Sequence, residues 1–421
     1  MRVDENENWR SFRHRNFRIL FAANSISNIG SWAQRIAQDW LVLELTHSGT
    51  YLGSVTALQF LPTLFLSLHG GALADKFNKQ KVLIVTNLIG GASAAILGIL
   101  VTSHHIKLWH VFGLAFGLGI ANALDAPVRQ AFTAEVVGRN DVPNAVSLNS
   151  ANFNAGRLIG PALAGTSIAF VGTGPSFLLN AASYAIVIFS LMKLRAEEFF
   201  IQPSSSNVGN IREGIRYVVA RPDLYAVMIV VFFMATFGMN FQIFNALMAT
   251  QVFHRGPASF GFLGTTLAIG AFSGALVSAR IERYRRTMFV VYASLAFGTG
   301  LVILSLMPTY TTYAIWLPFC GFAALTTMIT ANSLMQINTD AAIRGRVMGV
   351  YLLVFLGGAP FGSPFVGAMG EHVGIRQTIA FGGLITIFAS TFVYFRYRHK
   401  VSVPENYSIE FILPPTYENK G

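Results

Sequence analysis

Two aspartate–arginine pairs stand one helical turn apart in otherwise apolar surroundings: Arg35 with Asp39, and Asp125 with Arg129. At 100° per residue, Asn24, Asn28, Arg35 and Asp39 fall within about 60° of one another on a helix. A charge left in hydrocarbon costs at least about 2.5–3.5 kcal/mol, so this stripe must face protein or water. Two readings fit it. In one, Asp39 is a proton-coupling carboxylate and Arg35 its regulator or an anion contact. In the other, the two form a permanent ion pair that fixes the helix. The first requires the pair to break during a functional cycle. Asp125 and Arg129 bracket Pro127, a residue that kinks helices, and near one end of their helix they read as a structural or gating pair ahead of a substrate contact. Asn240, Asn332 and Gln336 are neutral hydrogen-bonding groups in apolar runs and are candidates for the wall of a central cavity.

Other chemistries find no support in the residues. The nine histidines show no metal-ligand spacing, and Cys320 is the only cysteine, so neither an intrachain disulfide nor a cysteine metal cluster is expected. No Gly-rich Lys-Ser/Thr loop offers a phosphate site, no cofactor is implied, and the chain does not read as an enzyme. Energy for work would come from an ion gradient, worth about 2.3 kcal/mol per charge per 100 mV.

The elements that position these residues are apolar. Of 421 residues, 53% are hydrophobic and 12% charged, about half the charge of a soluble domain, and the mean hydropathy is +0.52. The net charge of +11 is not a nucleic-acid signature, because the aromatics lie inside apolar runs rather than among the basic residues. Twelve runs approach the roughly 20 residues needed to cross hydrocarbon. They are Phe17–Leu45, Tyr51–Ala74, Val82–Ser103, Trp109–Thr133, Pro143–Val171, Phe177–Met192, Leu224–Val252, Ala258–Ala279, Met288–Met307, Tyr313–Asn338, Val347–Met369 and Thr378–Phe395.

Most Lys and Arg fall in the connections that share a side with both termini, whereas the opposite connections hold only Lys107, Arg255 and Arg376. Cytoplasmic loops carry the basic excess, so both ends are expected in the cytoplasm. The charged N-terminus lacks the apolar core of a signal peptide, and the first spanning helix is expected to stay in the mature protein. An amphipathic stretch, Ile211–Ala220, follows Pro203–Ser206 and is expected on the inner membrane surface. The expected organisation is a six-helix bundle over 1–194, a linker over 195–222, a second bundle over 223–398 and a tail over 399–421, whose Pro414–Tyr417 has the form of a WW-domain ligand. Gly156, Gly160 and Gly165, with Pro161 among them, recur at a constant offset as Gly358, Gly362 and Gly367. Small residues at this spacing let helices approach closely, and their recurrence suggests a duplicated unit.

The connection after the second run, Gly71-Ala-Leu-Ala-Asp75-Lys76-Phe-Asn78-Lys79-Gln80-Lys81, resembles the signature loop of the major facilitator superfamily. It departs from the pattern at Asn78 and Gln80. Gly156-x-x-x-Gly160-Pro161-x-x-Ala164-Gly165 resembles that superfamily's helix-5 motif. Ser31–Trp40, Asp125–Phe132, Pro143–Asn149 and Arg344–Val347 are similar to stretches of its branch of bacterial exporters that includes the enterobactin exporter and the transmembrane secretion effectors. The arginine motif found in helix 4 of many drug/proton antiporters is missing from Gly113–Gly119.

The resemblance implies an all-α major facilitator fold of twelve helices in two bundles that rock about a central site. It implies a gate in which Asp75 caps the helix that starts near Arg344 and Arg346, with Lys76 or Lys79 meeting Glu135 and Lys81 beside them. The function expected is a proton-coupled exporter of small amphipathic molecules such as drugs or siderophores, multi-pass in the cell membrane, with lipid, substrate and a coupling ion as partners. An importer or facilitator shares the fold; a non-transporting receptor has no use for the loop or the polar stripe.

Overall fold

The computed structural model describes residues 7–200, 211–280 and 287–398, and of residues 7, 8, 67–76, 279 and 280 it describes the backbone alone. The Pro203–Ser206 linker, the basic run around Arg283 and the Pro414–Tyr417 tail lie outside the described residues, as do the side chains of Asp75 and Lys76. Every regular element described is helical.

Six long helices come first: α1 (Arg15–Thr46), α2 (Gly49–Lys76), α3 (Lys79–Thr102), α4 (Leu108–Val137), α5 (Val142–Val171) and α6 (Thr173–Met192). After α7 (Ile211–Ala220) come α8 (Pro222–Phe233), α9 (Phe241–Leu247), α10 (Pro257–Arg280), α11 (Thr287–Ser305), α12 (Tyr310–Ile337), α13 (Arg344–Gly357), α14 (Ala359–His372) and α15 (Ile375–Tyr397). Nine described segments are long and apolar enough to cross a membrane. At 1.5 Å per residue, α1, α2 and α5 have the length as well, with 32, 28 and 30 residues.

Helix ends follow local chemistry. Asn78 begins α3 in extended conformation, its side chain accepting from the Lys81 amide at 3.1 Å, so the residue that breaks the signature loop's glycine pattern serves as an N-cap. Glycines at positive φ, Gly138 and Gly172, end α4 and α5, where a side chain would be strained.

Two of the apolar runs are not single helices. Leu224–Val252 divides into α8 and α9, each followed by a π-turn, Met234–Gly238 and Met248–Val252. Val347–Met369 breaks between α13 and α14 at Gly358, where Pro360 supplies no amide and its ring crowds the carbonyl four residues back. By contrast α4 and α5 continue through Pro127 and Pro161.

The chain forms two compact units. The first joins residues 1–206, 242–268 and 363–372; the second joins 207–241, 269–362 and 373–421. At one end of the first unit Phe17, Leu20, Leu83, Val128, Phe132 and Leu191 form an apolar core. In the second unit α7 packs against the start of α13. Its Gly214, Tyr217 and Val218 are buried. Glu213 pairs with Arg346 at the start of α13, and the Tyr217 hydroxyl donates to Asp340 Oδ2 at 2.9 Å. Burial pushes the Tyr217 phenol above its ordinary pKa, so it remains a donor at neutral pH. Only one face of α7, with Arg212, Ile215, Arg216 and Val219, stays exposed.

The repeated glycines sit where backbones touch. A Cβ on Gly156 would stand 3.0 Å from Asn28 Cβ, and one on Gly160 would stand 2.5 Å from Trp32 Cβ and 3.0 Å from the Ile29 carbonyl. In the second unit Gly358 and Gly362 press against Thr236 instead. Farther along each run, Gly165 faces Pro257 and Gly261, and Gly367 faces Gly49, all within the first unit. Gly113, by contrast, has nothing within 4 Å. Gly160→Leu is therefore expected to lower the stability of the detergent-solubilised protein by about 1–3 kcal/mol, while Gly113→Leu leaves thermal unfolding unchanged. Equal melting curves for the two variants would contradict this packing.

Candidate functional site

A cavity of about 760 Å³ is walled by α1 to α6 in the first unit. It forms because these helices turn their polar stripes toward one another, which spares those groups from lipid. From α1 come Asn24, Asn28, Trp32 and Arg35; from α2, Gln59 and Phe60; from α3, Thr86 and Asn87; from α4, Asn122, Asp125 and Arg129; from α5, Asn149 and Phe153; from α6, Asn180 and Tyr184. Neutral amides and hydroxyls dominate the polar surface. Asp125 is the only acidic residue among those lining it.

The two one-turn pairs have opposite fates. Arg129 grips Asp125 with Nε on Oδ2 at 2.7 Å and Nη2 on Oδ1 at 2.9 Å. Asp125 Oδ1 also accepts from Thr86 Oγ1 at 2.7 Å and Asn87 Nδ2 at 3.1 Å, and Arg129 Nη1 donates to Asn24 Oδ1 at 2.8 Å. This network ties α1, α3 and α4 together, and every lone pair it uses is met by a donor. Arg35 and Asp39 form no ion pair. The Arg35 guanidinium carbon lies 5.1 Å from the Trp32 ring centre and 5.7 Å from that of Phe60, whereas the Asp39 carboxyl is 4% exposed and its Oδ2 accepts no hydrogen bond. Beside Asp39, Gln38 Oε1 and Gln34 Nε2 are also buried without partners, although Gln34 Oε1 accepts from Asn180 Nδ2 at 2.6 Å.

The remaining sequence-derived residues divide as follows. Asn24, Asn28, Arg35, Asp125 and Arg129 converge on the cavity, and Asp39 is buried outside its wall. Asn240, Asn332 and Gln336 belong to the second unit and line no part of it: Asn240 donates to the Thr236 carbonyl at 2.8 Å, and Gln336 donates to Asn332 Oδ1 at 2.6 Å. Of the loop residues, Lys79 meets Glu135 at 2.7 Å, Lys81 is exposed, and Arg344 reaches the Thr339 carbonyl at 3.2 Å. Arg346 is held by Glu213.

Trp32, Phe60 and Tyr184 were not singled out from the sequence. Gly90-Gly91 gives the one local signal for Tyr184, because a Cβ on Gly90 would stand 2.8 Å from its ring. Charged residues are sparse along the chain, but packing brings Arg35, Asp125 and Arg129 to a single wall.

A helical, multi-pass chain with a polar cavity among its spanning helices has the build of a membrane transporter. The fold matches that of a POT family transporter in complex with 5-aminolevulinic acid at TM-score 0.74, 12% identity and coverage of 93% of this chain and 97% of that one. It also matches the nucleoside transporter NupG at TM-score 0.70 and 13% identity, covering 91% and 100%. The chain belongs to the transmembrane secretion effector family of the major facilitator superfamily, whose model spans residues 6–412. It is thus a multi-pass transporter of the cell membrane and not an enzyme.

Its relatives include the staphyloferrin A transporter of Staphylococcus aureus, 26% identical over 90% of this chain and 95% of that protein. The multidrug efflux pump Tap of Mycolicibacterium fortuitum is 26% identical, over 86% and 90%. The enterobactin exporter EntS of Escherichia coli K12 is 23% identical, over 93% and 94%.

The Asp125–Arg129 network yields a double-mutant test. Asp125→Asn and Arg129→Gln should each destabilise the purified protein, and the pair together should cost less than the two separately, with a coupling of about 1–3 kcal/mol. Strict additivity in thermal unfolding would mean the charges do not support one another.

Proposed function

We propose that the protein is a proton-coupled exporter of small amphipathic molecules, working by alternating access between two six-helix bundles with both termini in the cytoplasm. The observation that carries this reading is the division of labour on α1: a cavity-facing Arg35 beside a buried Asp39 that forms no ion pair and whose Oδ2 accepts no hydrogen bond. A proton or cation reaching that carboxyl would remove the cost of burying an uncompensated charge, which is how an ion gradient could bias one conformation over another. Further support comes from relatives named for export of a siderophore and of drugs, and from a cavity roomy enough for such molecules.

Alternating access needs contacts that form in one state and break in the other. Candidates lie at the α1–α2 connection, which the distribution of basic residues assigns to the outer face. There Glu371, near the end of α14, accepts from the Thr50 amide at 2.9 Å and the Thr50 hydroxyl at 2.7 Å, an anion at the start of α2 where the helix dipole favours it. Gly49 meets Gly367 beside it, and Gly165 meets Gly261 between α5 and α10, with bare backbone. Lys79 and Glu135 are candidates for the opposite gate, to which Asp75 would contribute by capping the helix that starts near Arg344 and Arg346.

The test is proton movement in liposomes with an imposed pH gradient, using dye and siderophore substrates. Wild-type protein is expected to release protons in exchange for substrate. Asp39→Asn should abolish gradient-driven accumulation, by tenfold or more, while substrate still binds. Undiminished accumulation by that variant, or solute flux indifferent to the gradient in the wild type, would favour a facilitator.

A further inference from the structure

We infer that the cavity holds an oxyanion subsite centred on Arg35, with Arg157 on the same Trp32 ring just behind the wall, and that its substrates are organic acids carrying more than one carboxylate or comparable oxyanion. The inference rests on the transporter reading above and adds the charge of the cargo.

Three guanidinium groups lie at or just behind the α1–α5 wall, and they are not equivalent. Arg129 is spent: its Nε, Nη1 and Nη2 all donate to Asp125 or Asn24. Arg35 and Arg157 make no hydrogen bond and no ion pair with any described residue. Both instead rest on one aromatic ring, Arg35 at 5.1 Å and Arg157 at 5.8 Å from the Trp32 centroid, with Phe60 a second ring for Arg35. Stacking of this kind contributes about 0.5–2 kcal/mol per cation, less than the cost of holding a charge at membrane depth. Two like charges sharing one ring also repel. The arrangement leaves the planar N–H edges of both groups uncommitted, and those edges fit carboxylate oxygens two at a time.

No carboxylate in the wall can answer them. Asp125 is the only acid lining the cavity, and its oxygens are taken by Arg129, Thr86 and Asn87. Asp39 is one turn from Arg35 but does not pair with it. The cavity therefore carries a net positive charge that a bound anion would neutralise. Phe153, whose ring meets Trp32 at 5.5 Å edge to face, and Phe60 offer apolar surface next to the cations, which suits an acid with a carbon body. A free organic acid and the headgroup of an anionic lipid share this chemistry; the enclosure of the site by six helices favours the free acid.

The test is equilibrium binding to the purified full-length protein, with citrate as the tricarboxylate probe and its trimethyl ester as a neutral probe of similar shape. No gradient is present, so the result is independent of whether the protein moves protons. Citrate is expected to bind at least tenfold more tightly than the ester, and less tightly as salt is raised. Arg35→Gln and Arg157→Gln should each weaken citrate by about tenfold and leave the ester unchanged, with Arg35→Lys intermediate. Both variants must elute and melt as the wild type does; if either fails, the salt series and the ester comparison on the wild type still decide the matter. Equal affinity for citrate and ester, or citrate binding indifferent to both substitutions, overturns the subsite. Repeating the measurement in nanodiscs with and without anionic lipid separates the two sources: loss of citrate binding only against anionic lipid would assign the site to headgroups and overturn the organic-acid reading. Citrate that binds as expected but is never transported would count against the exporter reading and not against the subsite.

Discussion

An ionised side chain inside a bilayer must be paired, hydrated or discharged, and most of the informative features of this protein follow from how it meets that demand. Asp125 and Arg129 meet it by pairing. Four donors surround the carboxylate, and the network they make also fastens α1, α3 and α4 together. Arg35 meets it by facing a cavity and resting on Trp32 and Phe60. Asp39 meets it in neither way, and for that reason it is the residue on which coupling to an ion is proposed to turn.

The contrast between the two pairs has a physical cause that is visible in their order. In a helix an acid placed four residues before a base interacts better than the reverse, because that arrangement also suits the helix dipole. Asp125 precedes Arg129; Arg35 precedes Asp39. The first order gives a bidentate clasp reinforced by α3, and in the second the arginine finds aromatic rings on α1 and α2 more accessible than its own neighbour. Spacing alone left the ion pair and the separated pair both open, and the order favours the clasp at Asp125–Arg129 by a few tenths of a kcal/mol at most.

Much of the fold was legible because hydrocarbon-length apolar runs have few alternatives. The interruptions were harder to see. Nothing in Leu224–Val252 announces the π-turns at Met234–Gly238 and Met248–Val252; the first of them meets Gly358 and Gly362 through Thr236. Pro360 did signal the break after α13, but an apolar window averages across it. The glycine repeat was legible as spacing, and its partners were not: Gly160 meets Trp32, whereas Gly362 meets Thr236. The site was legible along α1 and α4, where a helical wheel collects polar residues on one face. It was not legible for Phe60, Tyr184 or Arg157, whose roles depend on which helices become neighbours. Asn332 and Gln336, polar residues in an apolar run, pair with each other.

The claim beneath all of this is that α1 turns its polar stripe to water inside the bundle. The single cysteine, Cys320, is buried, so a Cys320→Ser background permits labelling at chosen positions. A charged, membrane-impermeant thiol reagent applied to opened membrane vesicles should modify Asn28→Cys and Arg35→Cys, and leave Phe116→Cys, on the apolar exterior of α4, unmodified. Silence at positions 28 and 35, or reaction at all three alike, would show that no water-filled cavity lies where the account requires one.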